Sequence, residues 1–136
     1  MAIDSSLIGA TSSPVEFEVT REAVERFMRA TEDPALQGDT EPEYAPPTFP
    51  TTFRMRVPGL ELDGSKMQLI HGEQRYTYTR LLRIGETVTC QASVADIRER
   101  AGKSGSMTFV VTEITGQDSQ QQPVFTARST LIVRQK

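Results

Sequence analysis

Four long runs of alternating apolar and polar residues occupy the second half of this 136-residue chain, and they leave little choice of fold. Gln68 to Arg80 is the first, rich in Tyr and Thr. Glu86 to Arg98 is the second, with Val88, Cys90, Ala92 and Val94 on one face. In the third, Met107, Phe109 and Val111 oppose Thr108, Val110 and Thr112. The fourth, Val124 to Val133, puts Phe125, Ala127, Leu131 and Val133 on one side. A period of two marks strands, and most of these runs exceed the usual strand length of roughly 5–6 residues. Strands that long twist and curve around something. The connections are short: Ile84-Gly85-Glu86, Ala101 to Gly105, and the polar stretch Gly116 to Gln122. Consecutive long strands with short turns predict an antiparallel meander.

The first half supplies the material that the sheet must cover. Met1 to Ser13 is small and polar and is expected to be loosely held. Pro14 to Val19 alternates and predicts a short strand. Thr20 suits an N-cap, with Glu22 in the first turn. Ala23, Val24, Phe27, Met28 and Ala30 form an apolar helical stripe that should end near Thr31, because Asp33-Pro34 follows. Asp33 to Pro47 reads as loop. Thr48 to Val57 is ambiguous: Phe49, Phe53 and Val57 share a helical face, yet Thr51 and Thr52 are poor helix formers. The sum is a single α+β domain over residues 1–136, with helical material on one face of a curved antiparallel sheet of about five strands.

Composition excludes several function classes. A net charge of -3 argues against nucleic acid as the main partner. No apolar run is long enough for a membrane span, and the N-terminus lacks the basic start and apolar core of a secretory signal. Cys90 is the single cysteine, so neither an internal disulfide nor a cysteine metal cluster is expected, and a reducing cytoplasm fits. His71 is the single histidine. Any imidazole chemistry therefore uses His71 or comes from another chain.

Four stretches taken together resemble the N-terminal half of MaoC-like dehydratases, also called the FAS1-like dehydratase domain. They are Ala45-Pro46-Pro47-Thr48-Phe49, the run from Leu69 to Cys90 (LIHGEQRYTYTRLLRIGETVTC), Phe109 to Glu113, and Thr126 to Thr130. The resemblance covers about residues 14 to 133. It implies a hot-dog fold, a curved antiparallel sheet around a central helix, and it turns Thr48–Val57 into that helix. It also implies hydration of an enoyl thioester or the reverse dehydration, with no cofactor. Active members carry an Asp and a His in a Gly-Asp-x-Asn-Pro-aliphatic-His motif. Those groups move protons to and from water and the substrate carbons, while a hydrogen-bond donor meets the thioester oxygen. The matching stretch here is Ala30 to Leu36. Pro34 fits the motif proline, but Thr31 falls where the Asp belongs and Leu36 where the His belongs. The resemblance thus implies the non-catalytic half of a pair, with a MaoC-like partner supplying the acid–base groups.

The remaining site residues each have two readings. His71 could be a general acid or base, but a structural imidazole on a strand is favoured. Gly72 beside it fits a bulge or a close backbone approach. Glu73 is expected to pair with Arg75 or Arg80. Tyr76 and Tyr78 share a face and either line an acyl tunnel or pack on the sheet. Pro47, Thr48 and Phe49 form a stiff loop whose Thr48 or Phe49 amide could meet a thioester carbonyl. Arg98, Arg100 and Lys103 could meet phosphates, although a solvated turn is the simpler reading. Cys90 reads as a small core residue. The substrate-binding set is thus Pro47, Thr48, Phe49, His71, Gly72 and Tyr76, with no metal site. The expected ligand is an acyl-CoA or acyl-carrier thioester. The alternatives are an acyl-CoA-binding homodimer and a thioesterase; the latter is disfavoured because Thr48 to Val57 contains no acid to activate water.

Overall fold

The computed structural model describes residues 3–103 and 105–135. Met1 and Ala2, at the start of the segment expected to be loose, and Ser104, in the third expected turn, lie outside them. The strands are β1 (Val15–Glu18), β2 (Met67–Tyr78), β3 (Thr87–Gly102), β4 (Gly105–Gln117) and β5 (Pro123–Gln135). They form one curved antiparallel sheet in the order β1-β3-β4-β5-β2. The meander is present as β3-β4-β5, and β2 closes back beside β5 along its whole length. Gly116, expected in a turn, is a strand residue instead, and the ladder shifts register just after it.

One face of this sheet is covered. Val88, Cys90 and Ala92 on β3 alternate inward with Phe125 and Ala127 on β5, and all are buried. Helix α1 (Arg21–Ala30) adds Val24 and Met28 to the cluster of Val88, Cys90, Phe125 and Ala127. Its start follows from Thr20, whose side chain accepts the Ala23 N–H at 3.1 Å. Its end falls at Thr31, whose hydroxyl turns back onto the carbonyls of Phe27 and Met28. Ala30, counted in the apolar stripe, is exposed. Burial pushes the Cys90 thiol up to about 12, as a small core residue requires.

The structure corrects two expectations. Thr48–Val57 is not a helix. A short 3-10 turn, Phe49–Thr52, gives way to an extended strap. Phe53, Met55 and Val57 point inward from the strap while Arg54 and Arg56 are exposed. That is a period of two, carried by Phe-Arg-Met-Arg-Val, and it outweighs the weaker helical spacing of Phe49, Phe53 and Val57. Phe53 becomes an aromatic hub, stacked on Phe17 at 4.4 Å and set edge-on to Phe49 at 5.6 Å. Within the N-terminal segment expected to be loose, residues 9–12 are held on β3. Gly9 N–H donates to the Val94 carbonyl, Val94 N–H to the Ala10 carbonyl, and Ser12 N–H to the Ala92 carbonyl. Ser12 is buried, and its hydroxyl accepts the Ala92 N–H. Residues 9–18 thereby cover the outer edge of β3 from Thr87 to Val94, and on the opposite side of the sheet β2 is a long edge strand that is open on its outer side.

Candidate functional site

The sequence places six binding residues together, and the structure sets them in two places along β2. Pro47, Thr48 and Phe49 stand at the Tyr76–Tyr78 end. The Tyr78 hydroxyl donates to the Pro47 carbonyl at 2.6 Å. Burial raises the Tyr78 phenol above its ordinary range, which keeps it a neutral donor. The Thr51 hydroxyl donates to the Thr48 carbonyl at 2.6 Å and lies 2.5 Å from the Tyr76 hydroxyl, which must then be the donor of that contact. Two tyrosines of one strand thus fasten the loop to the sheet, and each both packs and donates.

The two amides considered for the thioester oxygen differ. Phe49 N–H already donates to the Pro46 carbonyl at 2.9 Å. Its ring is buried among Phe27 and Phe53. Phe49 is therefore a core anchor, contrary to its expected binding role. Thr48 is exposed, and its amide has no backbone partner among the described residues.

His71 and Gly72 lie five and four residues nearer the start of β2 than Tyr76, roughly 16 Å away for His71 at strand spacing. The ladder shifts between His71 and Glu73, so Gly72 is a bulge as its position suggested. A side chain there would come within 3.2 Å of Ile132 Cδ1. The His71 ring is exposed, and its Nε2 lies 3.1 Å from the Glu73 carbonyl and 3.3 Å from the Ser129 hydroxyl. Among the described residues no carboxylate touches it. Ser129 also donates to Gln74 Oε1 at 3.0 Å. Gln74 and Ser129 escaped the sequence reading because strict alternation puts residues 71 and 74 on opposite faces. Gly72 was the one signal that they could share a face.

At the position of the family's acid–base motif, Thr31 caps α1 and Leu36 packs against the core. A cavity of about 330 Å³ opens there, lined by Met28, Arg29, Glu32, Asp33, Leu36 and Gln37. Asp33 is occupied as a cap, accepting the Ala35 N–H. A larger groove of about 540 Å³ runs between the strap and the sheet, with Met55, Val57, Leu60, Leu62, Ala92 and Ile114 among its walls. The hairpin cations are engaged in part: Arg98 pairs with Asp96 at 2.7 Å and Arg100 lies over the Phe109 ring. Glu73 pairs with Arg75, whereas Arg80 takes Glu86 and Asp118. No group of side chains among the described residues could hold a metal ion, and no helix is long and apolar enough to cross a membrane.

The curved antiparallel sheet with a helix on its covered face is a hot-dog arrangement, and comparison with known proteins places the chain in a dehydratase family. The model of the FAS1-like dehydratase domain region matches residues 6–127, and the chain belongs to that family. A protein of Thermobifida fusca, named only as UPF0336 protein, is 33% identical over 151 residues, covering 98% of this chain and 95% of its own. Among solved structures, one chain of the HadBC (3R-hydroxyacyl-ACP dehydratase) complex from Mycobacterium tuberculosis is similar with a TM-score of 0.71 and 21% identity. That match covers 93% of this chain and 96% of the other. A MaoC-like dehydratase is similar with a TM-score of 0.74 and 19% identity, over 96% of this chain but 43% of the other. The fold is a hot-dog, with the helix reduced to α1 and the strap in place of the expected central helix.

Proposed function

We propose that this chain is the non-catalytic subunit of an (R)-specific enoyl-thioester hydratase/3-hydroxyacyl dehydratase. A second hot-dog subunit carries the Asp and His, and this chain completes the acyl-binding tunnel for a CoA or carrier-protein thioester in the cytoplasm. One observation carries the reading. The two motif positions hold Thr31, turned back onto its own helix, and Leu36, half-buried against the core, while among the described residues no carboxylate touches His71. Neither Thr nor Leu exchanges protons near neutral pH, so water activation needs another chain.

The open edge of β2 supports the pairing. It offers a long row of unpaired backbone groups, with Leu69 and Ile70 both exposed. Such an edge is a template for another strand unless something covers it. A partner strand there would cover both side chains and extend the sheet across two subunits. The two structural neighbours fit the same picture, one being a chain of a two-component dehydratase complex and the other about twice as long as this chain. On the loop at the other end of β2, the exposed Thr48, whose amide has no backbone partner among the described residues, supports a role as donor to a thioester oxygen.

The test is coexpression with a hot-dog chain that carries the intact Asp/His motif, followed by an enoyl-CoA hydration assay. The expected result is a stable complex that hydrates its substrate and a lone chain at background rate. Hydration of crotonyl-CoA by the lone chain at an enzymatic rate would defeat the proposal. A homodimer that binds acyl-CoA and ignores the partner would support the acyl-CoA-binding reading instead.

A further inference from the structure

The bulge at Gly72 does more than kink an edge strand. In an unbroken strand, residues 71 and 74 face opposite sides. The extra residue brings both to the covered face: His71 stands opposite Leu131, and Gln74 opposite Ser129. Both then converge on Ser129, which lies 3.3 Å from the imidazole and 3.0 Å from the Gln74 amide oxygen. Across the next ladder Ser129 stands opposite Thr112, so the two side chains share that face. Thr112 forms part of the wall of the groove beneath the strap. Four polar side chains, Thr112, Ser129, Gln74 and His71, therefore run in one row from the groove to the open edge of the sheet.

The groove is otherwise largely aliphatic along its length, with Pro58, Arg56 and Glu61 also on its wall. Its volume of about 540 Å³ lies within the roughly 300–1,000 Å³ of small-molecule sites, which combine apolar walls with a few placed polar groups. The row has hydrogen-bonding capacity to spare. Thr112 makes no side-chain hydrogen bond among the described residues, and the Gln74 amide nitrogen reaches only the Arg128 carbonyl, at 3.4 Å. A plain alkyl chain lying over Thr112 in the groove would seal its hydroxyl from water with nothing to pair it.

We infer that this row is a specificity element of the acyl site: it selects an acyl group that carries a second oxygen function, a hydroxyl or a ketone beyond the β-carbon, over a plain alkyl group of the same length. The inference rests on the acyl-tunnel reading above. A site built to hydrogen-bond an oxygen rejects the analogue lacking it, because its own polar groups are then left unpaired. Thr112 is the residue that meets the ligand. Ser129, Gln74 and His71 orient one another and continue the row toward the partner edge.

Calorimetric binding to the full chain, alone and in the partner complex, tests this without requiring turnover. The probes are decanoyl-CoA and a series of hydroxydecanoyl-CoAs with the hydroxyl at C5 or further along the chain, which leaves out the 3-hydroxy isomer that the dehydratase itself would consume. At least one isomer is expected to bind about tenfold more tightly than decanoyl-CoA. Thr112→Val, which keeps the shape, should abolish that gain and leave decanoyl-CoA binding unchanged or stronger. Ser129→Ala should reduce the gain, and Thr112→Ser, which keeps the hydroxyl, should retain it. The inference is overturned if no isomer is preferred, if the preference survives Thr112→Val, or if Thr112→Val weakens every ligand equally. The last result would mean that the row reads the thioester oxygen common to all of them. A preference without hydration by any complex would remove the hydratase reading and keep this one. Hydration without a preference would do the reverse.

Discussion

Phe53 lies face to face with Phe17, ring centroids 4.4 Å apart and planes 9° from parallel, so the strap packs on β1 through a stacked aromatic pair. The same Phe53 ring also meets Phe49 and Phe125. Truncating it to Ala should cost about 3–5 kcal/mol, the range for large buried aromatics. Urea unfolding of Phe53→Ala measures this. A loss under about 1 kcal/mol would show that the strap is not part of the core.

Two glycines of the sheet should respond differently to alanine. A Cβ at Gly116 would run into the buried Phe125 ring, within 2.7 Å of Cδ1 and closer still to Cε1. A Cβ at Gly72 would come no closer than 3.2 Å, to Ile132 Cδ1, with Ile132 Cγ1 and the Thr130 carbonyl oxygen at 3.4 Å. Gly116→Ala should therefore destabilise by about 1–3 kcal/mol through overpacking, and Gly72→Ala by clearly less. Thermal melts of the pair compare them directly, and equal losses would contradict the geometry.

The Arg80 guanidinium holds Glu86 by two contacts of 2.8 Å, and that pairing keeps the Glu86 carboxyl below its ordinary range. A depressed folded-state value means that the unfolded chain binds the proton first. The stabilisation is therefore complete above about 4.5, the ordinary glutamate value, and is lost as pH falls through the lower folded value. Glu86→Gln should flatten the stability profile in that acidic window. It should also weaken the protein at pH 7, because Arg80 loses its charged partner and keeps only Asp118. A wild-type stability that does not change between pH 5 and pH 3 would remove the linkage.

Glu32 follows the last residue of the α1 cap with φ 54, in the left-handed region where glycine is favoured. Its N–H donates to the Arg29 carbonyl, and the Asp33 N–H to that of Met28, which closes the helix end. Glu32→Gly should stabilise the fold by about 0.5–1 kcal/mol. Denaturant midpoints test it, and a destabilised variant would show that the Glu32 side chain contributes more than its backbone conformation costs.

Much of the sheet was legible because its side chains obey one rule. Val88, Cys90, Ala92 and Val94 alternate on β3 and are all buried, and Thr20 marked the start of α1 through a local hydrogen bond. What escaped depends on contacts distant in sequence. The segment before Ser13 is polar and reads as loose, yet the backbone of residues 9–12 is held by Ala92 and Val94 of β3, far along the chain. The strap was drawn toward a helix by Phe49, Phe53 and Val57, although Arg54 and Arg56 between the inward residues carried the better signal. At the site, Tyr76, His71 and Gly72 were singled out, but Gln74 and Ser129 were not. A bulge changes which residues are neighbours, and composition does not show its effect downstream.

The strap also accounts for the empty space beneath it. An extended backbone advances about 3.3 Å per residue where a helix advances about 1.5 Å. The residues from Phe53 to Val57 therefore span roughly twice the length of sheet that the same residues would cover as a helix, and only every second side chain points inward. Cover is spread at low density over β3 and β4, and the groove is the volume that this thin cover leaves unfilled. Lengthening the inward side chains of the strap would shrink the space, so the choice of Met55 and Val57 sets the bore available to a guest molecule.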